Sequence, residues 1–217
     1  GKNHHLHGCF SECVESLELM LADGSLISCS RSDQPKLFHA TCGGMGLTGL
    51  IVSATLRLLR IESAYIQQTT FKAANLDEAL QLFETHSTST YSVAWIDCLA
   101  KGHALGRSLL MVGEHALDGQ LLLPAKRALS VPLDMPAALL NRYSVQAFNE
   151  LYYQRIRKPE SKQRVSFESF FYPLDGIQQW NRLYGKQGFV QYQFVIPKAA
   201  GLQGMRAILE CISTSHR

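Results

Sequence analysis

Hydrophobic and polar residues alternate along residues 14–29, and the alternation is interrupted at Asp23-Gly24. Period-two alternation on both sides of an Asp-Gly pair is a strong signal for a β-hairpin, because both residues tolerate the backbone of a tight turn. Residues 35–40 then predict a short helix, and the apolar residues 50–59 predict a strand. The first quarter of the chain therefore predicts a small sheet with one helix.

After residue 65 the pattern changes repeatedly between period two and a helical period. Leu76, Ala79 and Phe83 fall on one face of a predicted helix that Asn75 caps. The predicted strands are residues 65–71, 91–98, 109–112, 167–172 and 189–196, and the predicted helices are residues 76–86, 137–155, 176–184 and 204–212. This order predicts an α+β fold with a mixed or antiparallel sheet covered by helices on one face, and a domain boundary near residues 61–64.

Two segments lack a hydrophobic period and are predicted to be loops. Residues 121–135 mix prolines with Lys126 and Arg127, and residues 155–162 carry a basic run. For the basic run, a solvated loop is favoured over a binding patch. We expect these two segments to be the most mobile and to act as a lid over a pocket.

The composition is that of an ordinary globular protein and excludes some classes of function. The chain has 217 residues, 46% of them hydrophobic, and a formal net charge of +3. This charge is too small to indicate a nucleic-acid partner. The six cysteines are scattered without a Cys-x-x-Cys pair, which predicts buried free thiols and a reducing compartment. No run is long and apolar enough to cross a membrane, and no secretory signal is visible.

Three histidines, His4, His5 and His7, lie close together near the start of the chain. Histidine clusters can bind zinc, but only Cys9 stands nearby as a further ligand. The sequence therefore predicts no metal site.

Four glycines fall within the seven residues 43–49, directly before the predicted strand at residue 50. Glycine allows positive φ and lets a ligand lie on the bare backbone, whose N–H groups can bind phosphate oxygens. Close packing of a helix-to-strand turn explains the glycines equally well. The order helix, glycines, strand is the reverse of the dinucleotide-binding fingerprint, which needs a strand before and a helix after.

The stretch Gly43-Gly44-Met45-Gly46-Leu47-Thr48-Gly49 before an apolar strand resembles the flavin-binding domain of the vanillyl-alcohol-oxidase type of FAD oxidases. Further motifs strengthen the resemblance and make it more specific: Gly1-Lys2-Asn3-His4-His5, Ala94-Trp95-x-Asp97, Tyr172-Pro173-Leu174-Asp175, Trp180-Asn181-Arg182-x-Tyr184-Gly185, and Gly188-Phe189-x-Gln191-Tyr192-Gln193-Phe194-Val195-Ile196-Pro197. Together they look like the oxidase subunit of decaprenylphosphoryl-β-D-ribose 2′-epimerase.

This resemblance implies a fold and a set of site residues. Residues 1–62 would be the C-terminal portion of a PCMH-type FAD-binding domain, and residues 63–217 an incomplete substrate-binding domain. Lys2 would be catalytic. The cofactor-binding residues would be Gly1, Gly46, Leu47, Thr48, Gly49 and Ile51, and the substrate-binding residues Trp95, Phe171, Gln191 and Gln193.

Two positions depart from the family pattern, because Phe171 stands where the family has tyrosine and Val93 where it has serine. Period two places Gln191 and Gln193 on one face of a strand, where two amides suit a polyol lying against an apolar wall. A polar strand face exposed to water explains the same pattern.

The resemblance further implies hydride transfer from the 2′-hydroxyl carbon of a polyprenyl-phosphate ribose to FAD, a quinone-type electron acceptor and a partner reductase. It implies a cytoplasmic protein that could lie peripherally at the inner membrane. Two alternatives stay open: an oxidase of aldonolactones or other small polyols, and a non-catalytic fragment that binds a glycan or a lipid head group. We expect the chain to be a central fragment that by itself retains no FAD, because the pyrophosphate-binding half would precede Gly1.

Overall fold

The computed structural model describes residues 7–124, 129–136 and 140–215, without the side chains of residues 186 and 187. Lys2, His4, His5 and part of the loop predicted over residues 121–135 lie outside these residues. The chain divides into two compact units, Gly1–Arg60 and Ile61–Arg217. The assignment of these units to a cofactor domain and a substrate domain stays a prediction.

The first unit is a three-stranded antiparallel sheet with one helix. Its elements are a 3-10 turn at Phe10–Cys13, strand β1 at Val14–Met20, strand β2 at Leu26–Ser30, helix α1 at Pro35–Thr41 and strand β3 at Leu50–Leu56. The strand order is β2-β1-β3. The predicted hairpin is confirmed, with Leu19 opposite Ile27. Leu19 and Phe38 are fully buried in the core, whereas all seven residues of β3 are exposed.

The second unit is built on a four-stranded antiparallel sheet, in which Tyr91–Ile96, Ser108–His115, Tyr65–Ala73 and Glu160–Ser166 lie side by side in this order. Its strands are β4 at Tyr65–Ala73, β5 at Tyr91–Ile96, β6 at Ser108–His115, β7 at Leu129–Ser130, β8 at Glu160–Ser166 and β9 at Ile177–Gln178; β7 and β9 form a separate parallel pair. Its α-helices are α2 at Leu76–Thr85, α3 at Arg142–Gln154, α4 at Phe167–Phe171 and α5 at Gly201–Thr214, and its 3-10 turns are Gly102–Ala104, Trp180–Gln187 and Lys198–Ala200. The α+β class is confirmed.

Helices cover both faces of this sheet, so the prediction of one covered face is wrong. On one face Phe71 of β4 stacks on His86, which ends α2. Leu76 and Leu209 form a buried cluster there, against which Ile96 of β5 packs. On the other face Trp95 of β5 packs against Tyr152 of α3, with ring centroids 4.8 Å apart. Helix α4 covers the far end of that second face, where the ring of its Phe170 packs against Gly113. A Cβ added at Gly113 would lie 2.8 Å from this ring.

Several predicted elements differ in the structure. In place of the strand predicted over residues 167–172, Phe167–Phe171 form α4, because the Ser166 side chain accepts a hydrogen bond from the Ser169 backbone and starts a helix. The predicted basic loop contains the start of β8, where Glu160 lies opposite Phe71. The predicted helix over residues 176–184 is instead the short strand β9 and a 3-10 turn, interrupted at Gly185 with a φ of +60°.

The predicted strand over residues 189–196 is also absent from the described part of the chain. Gln191 and Gln193 are exposed, and their segment belongs to no strand ladder. A strand is held by hydrogen bonds to a neighbour, and an alternating pattern does not supply that neighbour.

All six cysteines are free thiols in the structure. Cys29 is buried, but Cys9, Cys13 and Cys211 are exposed, so the prediction of burial is wrong for half of them. No helix among the described residues is long and apolar enough to span a bilayer.

Candidate functional site

The glycine turn of the first unit leaves its backbone open to a ligand. Gly43, Met45 and Gly46 all have positive φ, of +84°, +57° and +79°. A Cβ added at Gly43 or Gly46 would meet open space, so the absence of side chains there is not explained by close packing. Leu47 is 91% exposed beside them. The turn therefore offers bare backbone and an apolar side chain at the surface.

Three other positions in this turn have structural reasons for their residue types. A Cβ at Gly44 would clash with the Ala40 carbonyl oxygen, and one at Gly49 would lie 2.8 Å from that of Met20. The Thr48 hydroxyl hydrogen-bonds the Thr41 hydroxyl at 2.9 Å. Close packing thus explains the glycines at positions 44 and 49, and ligand binding at the open positions 43 and 46 stays a prediction.

These residues fit an FAD ring system better than a tightly enclosed phosphate. The predicted cofactor residues Gly46 and Leu47 are exposed, and Ile51 of β3 is 49% exposed on the adjoining strand. A flat, partly apolar group can lie on such a surface, with the backbone of the turn as its hydrogen-bonding edge. Gly1 and Lys2, predicted to complete the site, lie outside the described residues.

In the second unit, the face of the sheet that carries α3 and α4 brings together two of the four predicted substrate residues. Tyr91, Val93 and Trp95 alternate on this face of β5, as period two requires. Phe171 packs edge-on against Tyr91, with ring centroids 4.8 Å apart. Phe171 and Trp95 therefore lie at the two ends of one row of side chains, Phe171, Tyr91, Val93 and Trp95. Gln191 and Gln193 do not form part of it in the described contacts.

A polar pair lies on the same face, in the middle of the sheet. Gln68 lies two residues from Thr70 on β4, and its amide donates a hydrogen bond to the Thr70 hydroxyl at 2.9 Å. Gln68 is 6% exposed and Thr70 1% exposed. Neither residue was predicted as a site residue, although their alternation with Gln67 and Thr69 is visible in the sequence. Because polar residues occur on both faces of β4, the sequence pattern does not show which face is buried.

Tyr91 also takes part in a hydrogen-bonded chain that the sequence did not predict. The Nδ1 atom of His115 lies 2.8 Å from the carbonyl oxygen of Ser63, so it must carry the ring proton and donate. The Nε2 atom then accepts from the Tyr91 hydroxyl, at 3.3 Å. Burial, and next the negative charge of Glu114, raise the pKa of Tyr91. The phenol therefore stays protonated and can offer its oxygen as an acceptor to a ligand hydroxyl.

At the Trp95 end of the row, Asp97 is held by several donors. Its Oδ2 atom accepts from the Nε and Nη2 atoms of Arg107 at 2.9 and 2.7 Å, and its Oδ1 atom accepts from the Asn149 amide at 2.7 Å. Glu150 binds the remaining edge of Arg107 at 2.7 Å. A cleft of about 460 Å³ opens beside this network. Because the Asp97 carboxylate is already fully engaged, it anchors α3 and does not serve as a free base.

Comparison with known proteins shows which proteins the chain is similar to. No family model matches the chain. Over its whole length it is 34% identical to the decaprenylphosphoryl-β-D-ribose oxidase of Mycolicibacterium smegmatis, of which it covers 49%. The resemblance predicted from the sequence is confirmed.

Shorter stretches are similar to two further oxidases. Over 51 residues, 24% of this chain and 10% of the relative, the chain is 45% identical to the D-arabinono-1,4-lactone oxidase of Yarrowia lipolytica. Over 80 residues, 37% of this chain and 18% of the relative, it is 31% identical to the L-gulonolactone oxidase of Bos taurus. The chain spans about half the length of the first of these relatives and much less of the others.

Proposed function

We propose that the whole protein is an FAD-dependent oxidoreductase that oxidises a secondary hydroxyl of a ribose-type sugar carried on polyprenyl phosphate, for the synthesis of an arabinose-type cell-envelope glycan. The observation that carries this proposal is the 34% identity, over all of this chain, to an oxidase named for decaprenylphosphoryl-β-D-ribose. A quinone-type electron acceptor and a partner reductase belong to the same proposal.

The first unit would hold the cofactor as the end of a PCMH-type FAD-binding domain. Gly46, Leu47, Thr48, Gly49 and Ile51 would lie along FAD, together with Gly1. FAD would supply the acceptor for the hydride that leaves the substrate carbon. The open backbone at Gly46 and the exposed side chains of Leu47 and Ile51 support this assignment.

The second unit would hold the sugar. Trp95 and Phe171 would form an apolar wall for it, and the shared sheet face of the two residues supports this role. Gln191 and Gln193 would bind sugar hydroxyls, and their exposure in the structure leaves both amides accessible. Lys2 would stabilise negative charge that develops on the substrate oxygen.

A second candidate function is the oxidation of an aldonolactone or another small polyol. The 45% identity over 51 residues to an arabinonolactone oxidase favours it, although that match covers only 24% of the chain. The apolar residues Val93 and Phe171, at positions where the resembled family has hydroxyls, leave the choice of sugar open. A fragment that only binds a glycan or a lipid head group is the non-catalytic alternative.

The test uses the whole protein, purified with flavin quantified per chain. Turnover is measured with polyprenyl-phosphate ribose and with free aldonolactones, in the presence of a quinone-type acceptor. We expect stoichiometric flavin and turnover of the lipid-linked sugar. Preferred turnover of lactones would select the second candidate, and a colourless protein would leave only the binding function.

The assignment of Gln193 has its own test. Gln193→Ala should lower kcat/KM by roughly 10- to 200-fold, because a lost hydrogen bond and lost orientation cost about 1.5–3 kcal/mol. Flavin content should be unchanged. Gln81→Ala, at an exposed position of α2, is the matched control. Wild-type kinetics in the Gln193 variant, or loss of its flavin, would show that this amide has another role.

A further inference from the structure

The buried polar pair of β4 lies where a sheet usually carries apolar residues. Strand β4 is an interior strand, paired with β6 on one side and β8 on the other. Gln68 and Thr70 point to the face that carries α3 and α4, and they are 6% and 1% exposed. Burying an amide costs free energy unless its donors and acceptors are paired. The hydrogen bonds of Gln68 therefore decide whether the pair is explained by structure alone.

The Gln68 amide is only partly paired. Its Nε2 atom donates one hydrogen to the Thr70 hydroxyl at 2.9 Å, and its side chain makes no other hydrogen bond among the described residues. The Oε1 atom and the second Nε2 hydrogen are thus available. Within the same part of the chain, Ser108 Oγ is the one fully buried side-chain polar atom that has no partner, so Gln68 Oε1 is not sealed off. An open acceptor beside an open donor suits a hydroxyl group, which can both donate and accept.

The register of the strands places this amide opposite the apolar wall of β5. Thr70 and Val93 lie on either side of Met111 of β6, each opposite it. Two strand spacings separate β4 from β5, which is about 10 Å. Met111 and Val93 are only half-buried, so neither α3 nor α4 closes this part of the face. We call Val93, Met111, Thr70 and Gln68 the central strip; it leaves room for one sugar ring between the wall and the amide.

Aromatic rings bound the central strip at both ends. At one end α3 places Tyr152 against Trp95. At the other end α4 places the Phe170 ring on Gly113, the residue of β6 directly opposite Gln68. Small-molecule sites are mostly apolar and contain a few polar groups in fixed positions. A half-paired amide among apolar and aromatic side chains has this composition.

The central strip also lacks hydroxyls that the resembled family has. Val93 and Phe171 stand where that family has serine and tyrosine, so neither side chain can bind a sugar hydroxyl here. Gln68 faces Val93 across Met111 on the same face of the sheet. It is therefore placed to supply a hydrogen bond that the wall of β5 cannot.

We propose that Gln68, oriented by Thr70, binds a hydroxyl of the sugar held by the second unit, at a carbon other than the one that is oxidised. Gln68 would be a binding residue, and Thr70 a positioning residue that acts through it. This inference rests on the proposed function for the identity of the sugar. Because binding can be measured without turnover, the two proposals can fail separately.

The test uses the whole protein and a variant that removes both partners, Gln68→Met with Thr70→Val. Calorimetry gives the Kd for a short-chain polyprenyl-phosphate ribose and for an aldonolactone, and steady-state kinetics give kcat and KM. We expect Kd and KM for the sugar to rise roughly 5- to 100-fold in the variant. Flavin content and kcat should change little, because a bond to a hydroxyl that does not react is present both before and during the reaction.

Analogues of the sugar identify the hydroxyl. The probes are polyprenyl-phosphate riboses that lack either the 3-hydroxyl or the 5-hydroxyl. One of the two should bind the unchanged protein more weakly by a similar factor. The same analogue should bind the variant as well as the complete sugar does, because the partner of that hydroxyl has already been removed.

The sequence of β4 offers a closely matched control. Gln67→Met with Thr69→Val makes the same two changes one position earlier, on the opposite face of the strand. This control should bind the sugar as the unchanged protein does. Replacing both partners of a buried hydrogen bond by apolar groups of similar shape is nearly neutral for stability or stabilising. The urea midpoint of the Gln68 and Thr70 variant should therefore not fall below that of the control.

Four results would overturn the proposal. They are unchanged Kd and KM in the variant, weaker sugar binding accompanied by a lower urea midpoint or lost flavin, equal weakening of both deoxy analogues in both proteins, and a protein that binds neither probe. Binding of a probe without its oxidation would refute the proposed function alone, and the Kd of the variant would then still decide the role of Gln68.

Discussion

Replacing Asp97 tests whether one buried carboxylate fixes α3 to the central sheet. Asp97 is 2% exposed and accepts hydrogen bonds from Arg107, Asn149 and the backbone N–H of Leu99. Removing one partner of a buried ion pair costs about 3–5 kcal/mol, because the other charge is left without a partner. The Arg107 side chain is 18% exposed and keeps Glu150, which reduces the cost. We therefore expect Asp97→Ala to lower the free energy of unfolding by about 2–4 kcal/mol.

The assay is urea unfolding followed by tryptophan fluorescence. Both tryptophans, Trp95 and Trp180, belong to the second unit, so the signal reports that unit alone. Asp77→Ala is the control, since its pair with Arg206 is exposed, with 62% and 41% of the side chains accessible. Such pairs contribute about 0–1 kcal/mol. A loss for Asp97→Ala no larger than that of the control would refute the anchoring role.

Three further predictions concern the described contacts. Gly49→Ala should lower the free energy of unfolding of the first unit by about 1–3 kcal/mol, because its φ of +142° and a backbone carbonyl 2.8 Å away both exclude a side chain; circular dichroism during urea unfolding measures it. Asn75→Ala should destabilise the second unit by about 1 kcal/mol through loss of the α2 cap, and fluorescence measures this. Hydrogen bonds from Gln154, and next from Arg107, lower the pKa of Glu150 below its ordinary 4.5. The stability that they confer is present above that value and is lost as pH falls through the lower folded value, so Glu150→Gln should show a smaller loss of stability on acidification than the unchanged protein.

Elements whose signals are local could be predicted from the sequence. The hairpin around Asp23-Gly24 and the helix capped by Asn75 depend on turn and capping chemistry within a few residues, and both are present. Strand β6 was predicted too short, because Gly113 ended the apolar run. In the structure Gly113 is an interior strand residue that makes room for the ring of Phe170. A contact with Phe170, distant in the sequence, thus explains a glycine whose immediate neighbours predict the end of the strand.

Strands and contacts that depend on residues distant in the sequence could not be predicted in this way. Strand β8 carries Glu160 and Lys162, which belong to the run interpreted from the sequence as a solvated loop, and Arg164. Pairing with β4 makes it a strand, and Arg164 lies 3.4 Å from the ring centroid of Tyr65. Likewise, the Asp97 network joins residues 52 positions apart, and no spacing rule indicates such a contact.

The two edges of the central sheet differ in a way that bears on the proposed sugar site. The β8 edge carries charged side chains, which discourage pairing with another strand. The β5 edge, from Tyr91 to Ile96, carries none. An additional strand would therefore pair more favourably at β5 than at β8. Were the alternating residues around Gln191 and Gln193 to pair there, both amides would lie on one face of the sheet, and the register would decide whether that is the face that carries Trp95. The edge strand that carries Trp95 is thus the position where the proposed polar and apolar halves of the site can meet.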